Sequence, residues 1–450
     1  MKRGLLYLVL AFIPLLLAAQ DMPFNVKTNT NYSVSSLVGK VEIDSVKYYQ
    51  LRLVQEIKYK NFGLGLDLDF LFDRDYHLKE NDWDHIGNIL EKVYYFRYAE
   101  IGDPLYFHFG GFPNYSIGNG LVMLNYSNMH FYPDLRHNGF LIGGSLDTFL
   151  QPHFELFSSD TKKNHILALN AHIHPIPDST LKYVDQGILG FSLYTDRDQY
   201  ANLDYILPDS LYTELKPSKR DNVLFWGIDY TQPIVKNDKL EYGVYTEMAH
   251  MVDGGTGYIL PGIYIDFDVV KVNLEYRRHG DKFTPGFFDH FYEEERAIAV
   301  YDTLADGSPN YSVISKQDVL MDRKASYGFY GKIQATIAQR VKTMIAWQNM
   351  YGDELKDGKS LWFNLKVDTR YKRLENVSFS YSKTSVDKLG LGKIAVPKAR
   401  LSAGVTMSLN EKRRWFFITK YSEKYKDKEG DIKWLKDTQR SFALGVKYTF

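Results

Sequence analysis

His172 and His174 stand two residues apart, a spacing that turns both imidazoles to one side of an extended strand. Two such rings can begin a metal site. No further ligand follows at a recognisable spacing, so polar lining is the expected role and no metal site is expected. Ser192 falls on the next extended segment and raises a serine–histidine pair for ester hydrolysis, a chemistry that also needs an orienting third group. The sequence carries neither a nucleophile-elbow motif nor a metalloprotease helix, so the expectation is no catalytic residue, no enzyme and no cofactor. Glu293, Glu294 and Glu295, with Asp289 and His290 nearby, could hold calcium; the plainer expectation is a solvated loop. The richest stretch runs from Gly110 to Gly139 and contains Tyr115, Asn119, Asn125, Tyr126 and Arg136. Its glycines permit tight backbone paths, and its Tyr and Asn offer ring faces and hydrogen bonds to a sugar or other polar solute.

These residues need elements to position them, and the sequence points to one kind. Residues 62–73 alternate strictly: Phe62, Leu64, Leu66, Leu68, Phe70 and Phe72 against Gly63, Gly65, Asp67 and Asp69. Successive strand side chains point to opposite faces, so this ribbon has one apolar and one polar side. The same period of two recurs around residues 49–57, 167–174, 224–230, 263–269, 361–368 and 401–409. Several segments reach ten residues, longer than an ordinary soluble strand and long enough to cross a bilayer at a tilt. The polar faces carry Arg52, Glu56, Asp67, Asp69, Arg97, His172, His174, Glu241, Glu247, Asp266, Arg277 and Lys366, which are expected to line an interior. Both signs are present, pairing across strands is the expected use, and no ion preference follows.

Composition narrows the class. The chain holds 35 Tyr, 28 Phe and 33 Gly but only 15 Pro, and 55 basic residues balance 55 acidic ones. That balance offers no electrostatic case for nucleic acid. With no cysteine, thiolate chemistry, cysteine-ligated zinc and disulfides are excluded. Lys2 and Arg3 precede an apolar run from Gly4 to Leu17 and then Ala18 and Ala19, the layout of a cleaved export signal over residues 1–19. Residues 20–450 are expected to form one all-β domain, a transmembrane antiparallel up-and-down β-barrel of about 16–20 strands. Tight connections are expected at Asn410–Lys412, Tyr371–Arg373, Ala338–Arg340 and near Lys271. Long ones are expected at 424–438, 385–397, 280–323 and 197–221.

The chain ends Phe442-Ala443-Leu444-Gly445-Val446-Lys447-Tyr448-Thr449-Phe450. Gly445, Tyr448 and Phe450 stand where the terminal signal of bacterial outer-membrane β-barrels has its glycine, antepenultimate aromatic and final aromatic. The chain resembles the Gram-negative outer-membrane β-barrels, porin-like in size and alternation. The resemblance implies export through the periplasm, recognition of the last strand by the barrel-assembly machinery, and contact with outer-membrane lipid and lipopolysaccharide. The expected activity is passive diffusion of small polar solutes, with the Gly110–Gly139 segment as a constriction. Two alternatives stand beside it: a non-conducting barrel with adhesion or interaction loops, and a gated uptake barrel for hydrophobic compounds. The oligomeric state is open.

Overall fold

A computed structural model describes residues 32–43, 46–79, 91–131, 136–177, 183–207, 209–215, 217, 220–303, 309–353, 355, 358–387, 399–410, 415–425 and 438–449. The expected signal segment and the terminal Phe450 lie outside the described residues. The first strands are β1 (Tyr32–Ile43), β2 (Val46–Tyr59), β3 (Phe62–Phe72), β4 (Val93–Tyr98), β5 (Leu105–Gly110), β6 (Gly139–Ser145) and β7 (His153–Ser158). Then follow β8 (Ile166–Ile173), β9 (Ile188–Asp196), β10 (Val223–Lys236), β11 (Leu240–Met251), β12 (Thr256–Phe267), β13 (Val270–His279), β14 (Ala297–Thr303) and β15 (Pro309–Ser315). The last are β16 (Ser326–Ile337), β17 (Val341–Tyr351), β18 (Lys359–Tyr371), β19 (Leu374–Val386), β20 (Ala399–Ser408), β21 (Trp415–Tyr425) and β22 (Thr438–Thr449).

All but β14 and β15 belong to one 20-stranded antiparallel sheet in which each strand pairs with its neighbours in the chain order of the sheet. The sheet closes on itself because β1 pairs on one side with β2 and on the other with β22, so Val38 faces both Leu51 and Leu444. Closure leaves no strand edge with unpaired amides, the condition for placing a sheet in hydrocarbon. Strand β3 shows which face is which: Phe62 is exposed, whereas Asp67 and Asp69 are 1% and 4% exposed. The outward apolar set continues around the barrel through Phe96, Ile142, Leu156, Phe191, Ile228, Ile263, Phe329 and Ile345, all exposed. A soluble barrel hides its apolar side chains inside; this one wears them as a contiguous outer band, far beyond what water tolerates, and buries its charges. The chain is an outer-membrane-type β-barrel.

Connections divide by length between the two ends. At one end most links are short, at 60–61, 237–239, 268–269, 338–340 and 372–373, with 174–187 a longer exception. Ala338 and Gln339 both adopt positive φ, 49° and 56°, as a tight hairpin turn matched to strand twist requires. The bend expected near Lys271 lies at 268–269, and Lys271 itself is within β13. At the other end the longer links include 111–138, 197–222 and 280–325. Both termini of the described chain lie at the short-turn end, the periplasmic side of such barrels.

Candidate functional site

The interior is where chemistry concentrates, and two long connections enter it. Phe157, Tyr194 and Phe225 share, by strand register, the inner face with Ala168 and Met251. Against them lie Tyr115 of the 111–138 segment, stacked on Phe157 at 4.6 Å, and Phe287 of the 280–325 segment, 4.9 Å from Phe225. The two segments meet in a parallel bridge between Met123 and Phe288. Together with Leu121, Val122 and Tyr126 they form an apolar cluster, each of these three 0% exposed. This cluster fills one side of the barrel as a plug. Burial of apolar area drives it, about 25 cal/mol per Å² removed from water.

A polar clamp holds the plug. Arg296, 1% exposed, follows the short helix Tyr292–Glu295 and reaches Asp196 of β9 at 2.5 Å and Glu293 at 3.0 Å. Tyr292 donates to Asp196 at 2.6 Å, Asn202 donates to Glu293 at 2.6 Å, and the Tyr126 hydroxyl also donates to Glu293. Every charge in this knot has a counter-charge or donor, which is what burial demands. Burial pushes the Glu293 carboxyl up, but Arg296 and then His137 reverse this and hold it below the ordinary carboxylate value. Asp289, half-buried beside Lys316, is pushed up to about 6 by its partial loss of water. Burial, then Arg296, pushes His165 down to about 3, whereas the His290 side chain is exposed. Downstream, Ser315 caps the helix Lys316–Leu320 in a reciprocal box with Asp318 and so turns the chain back to the wall.

The 111–138 segment is tied by its backbone. Glu247 of β11 accepts from the N–H groups of Asn119 at 2.9 Å and Leu121 at 3.3 Å. Gly118 and Gly120 hold left-handed φ of 62° and 88° there, which L side chains rarely adopt. Tyr106 and Tyr115 both donate to Glu155, and Arg136 donates to the Asp67 carbonyl at 2.9 Å. Arg400 of β20 crosses from the far wall: its guanidinium lies 3.8 Å from the Phe291 ring centroid and pairs with Glu294.

The facing wall is different. On β18–β20 the register turns Asn364, Lys366, Ser378, Ser380, Ser402 and Thr406 inward. None of these six is buried. Nothing among the described residues covers them, whereas the inner faces of β7–β11 are sealed by the plug.

The expected site residues fall as follows. Tyr115 and Tyr126 are buried in the plug, Arg136 is buried on Asp67, Asn119 sits at the Glu247 clamp, and Asn125 lies partly exposed at a left-handed φ of 54°. Arg52 pairs with Asp67 at 2.7 Å, and Gln50 donates to Asp69 at 2.9 Å. Glu56 accepts from Tyr95 at 2.5 Å, and Arg97 reaches Glu100 at 2.8 Å. Glu241 accepts from Tyr264 at 3.0 Å, Lys271 pairs with Asp266, and Arg277 holds Glu275 at 2.6 Å. His172 stacks on His153 at 4.7 Å, but His174 lies beyond the end of β8 because its amide turns to the Leu150 carbonyl. His174 therefore stands one residue outside the strand that holds His172. Ser192 is buried opposite Asn170 and Gly227. The glutamate run is corrected as well: Glu293 and Glu294 are 2% and 7% exposed, drawn in by Arg296 and Arg400 rather than solvated. Gly445 and Tyr448 lie in β22 and pair with Leu37 and Val34.

Arg296 and Arg400 were missed by sequence reasoning. A signal was available: Phe283, Phe287, Phe288, Phe291 and Tyr292 are too apolar a run for a loop in water.

No protein-family model matches the chain, and no curated protein matches it. In structure it is similar to the ferric enterobactin receptor PfeA of Pseudomonas aeruginosa, at 9% identity over 94% of this chain and 81% of that one, TM-score 0.36. It is also similar to OccK2 of Pseudomonas aeruginosa, at 6% identity over 94% and 98%, TM-score 0.33. A third is Wzi of Escherichia coli, an outer-membrane protein involved in group 1 capsule assembly and a carbohydrate-binding barrel, at 10% identity over 94% and 85%, TM-score 0.35. At these scores the similarity carries no argument; architecture and site rest on the strand pairing and contacts above.

Proposed function

We propose that this protein is a porin-like channel of the outer membrane, passing small polar solutes by passive diffusion between the plug and the β18–β20 wall. One observation carries the reading: that wall keeps an uncovered inner face of serine, threonine and asparagine, while the opposite side of the same barrel is packed. Hydroxyls and amides at a wetted wall exchange hydrogen bonds with a passing solute at little net cost. The plug, with Tyr115, Asn119, Asn125, Tyr126 and Arg136 in its first segment, is the constriction that sets the width of the passage. The periplasmic assembly machinery would take β22 as its signal strand, and lipopolysaccharide would meet the long-loop end.

The test is single-channel conductance of the refolded protein in a planar bilayer. Stable steps that grow when residues 113–137 are trimmed support the channel. A correctly inserted barrel that never conducts overturns it in favour of a second reading, a sealed barrel with surface loops, which the buried Arg296 clamp favours.

A further inference from the structure

The two sides of the interior differ in charge as well as in filling. On the packed side most inward carboxylates are already satisfied: Asp67 by Arg52, Glu155 by Tyr106 and Tyr115, Glu247 by two backbone amides, and Glu275 by Tyr245 and Arg277; Asp229, buried opposite Glu247, is the exception. On the open side the charges are cations. Lys342 of β17 stands directly opposite Lys366 of β18, both inward by register. Like charges facing each other across a strand pair cost stability. Neither lysine has an ion pair or hydrogen bond among the described residues, and both remain accessible. One hydrogen-bonded row, running from β16 to β20, links Lys332 through Ala346, Trp362 and Ser382 to Arg400. Arg400 stands where the plug touches the far wall, and the Lys342–Lys366 pair lies toward the short turns. Acid enters this wall only beside a short turn, at Asp368, which already accepts from Asn376 at 2.6 Å, and at Glu375.

We infer that the passage selects small anions, inorganic or carboxylate, with Lys332 and the Lys342–Lys366 pair as successive stations toward its turn end, Arg400 being already paired with Glu294. This rests on the channel reading. Cationic side chains in a lumen favour anions, and their influence is greatest where protein narrows the water path. The opposed lysine pair makes no ion pair among the described residues, Asp368 beside Lys366 being held by Asn376, and so keeps its field for the solute, whereas the Arg52–Asp67 pair spends its own locally.

The experiment is the reversal potential of the full mature chain in a planar bilayer under a potassium chloride gradient. Expected is a chloride preference that falls about fivefold or inverts in Lys342→Glu/Lys366→Glu, the factor matching about 1 kcal/mol of Coulomb energy per unit charge at short range in water. Millimolar inorganic phosphate should slow chloride current through the parent and less so through the variant. Lys342→Gln/Lys366→Gln, which relieves the like-charge contact, should give an intermediate ratio and decides the matter if the Glu variant fails to show heat-modifiable migration. Current that is cation-preferring, or whose ratio ignores both variants, overturns the anion inference and leaves the channel intact. No current at all overturns the channel reading, and the anion inference with it.

Discussion

Strands β7–β11 and strands β18–β20 have the same backbone, the same alternation and the same apolar outer face, yet their inner faces have opposite fates. The first present Phe157, Tyr194 and Phe225 inward, and glycine where the plug presses closest. A Cβ on Gly257 of the adjoining β12 would meet the Phe283 ring at 2.2 Å. The second present Ser378, Ser380 and Ser402, which offer an aromatic loop no apolar area to bury against; the loop touches this wall through Arg400 instead. The difference teaches that barrel closure and lumen content are separate problems. The ladder of backbone hydrogen bonds makes the wall irrespective of what points inward. Whether a loop stays inside depends on apolar area and on counter-charges for whatever it buries.

The comparison breaks first at Arg296. In Arg296→Ala, Asp196 and Glu293 stay buried without their cation, at a cost of about 3–5 kcal/mol. The 280–325 segment is expected to leave the barrel, raising conductance and its susceptibility to protease while β-sheet circular dichroism is retained. Unchanged conductance would mean that the clamp does not hold the plug. Gly257→Val comes next, forcing Phe283 aside for about 1–3 kcal/mol. It should loosen the same segment less, read as flickering current rather than a new conductance level.

Acid should act in the same direction. His165 is held near 3 in the packed state, below the ordinary value of about 6.5 that it regains in water. A depressed histidine stabilises docking above the ordinary value and loses that contribution as pH falls toward the packed-state value. Asp289, raised to about 6, opposes this: its penalty disappears as pH falls through that value. The buried His165 outweighs the half-buried Asp289, so protease cleavage within 280–325 should rise between about pH 7 and pH 5. His165→Gln should flatten the rise; a profile unaffected by that change would remove His165 from the device. The smallest effect belongs to the open wall. Ser380→Ala should change stability by no more than about 0.5 kcal/mol. Ser380→Trp should lower conductance without altering the unfolding transition, and an equal loss of stability would show that this wall is packed after all.

Much of the architecture follows from the chain alone. Alternation in residues 62–73 makes β3, because a period of two puts Phe62 and Leu64 on one face and Asp67 and Asp69 on the other in any extended strand. The tight connections at Ala338–Arg340 and Tyr371–Arg373 follow from where that alternation stops, and twenty barrel strands fall within the expected range. The inward placement of Arg52, Asp67 and Lys366 has the same local origin. What the period cannot carry is the partner across the lumen. Arg296 and Asp196 are a hundred residues apart, and their contact exists only once the sheet has closed and a loop has folded back through it. The same holds for Glu293, which reads as a solvated acid until Arg296, Tyr126 and Asn202 converge on it. It holds for Lys342 and Lys366 too: each is an ordinary inward lysine in its own strand, and only the register between β17 and β18 sets the two charges face to face. Local alternation decides which way a side chain points; closure and register decide what it meets.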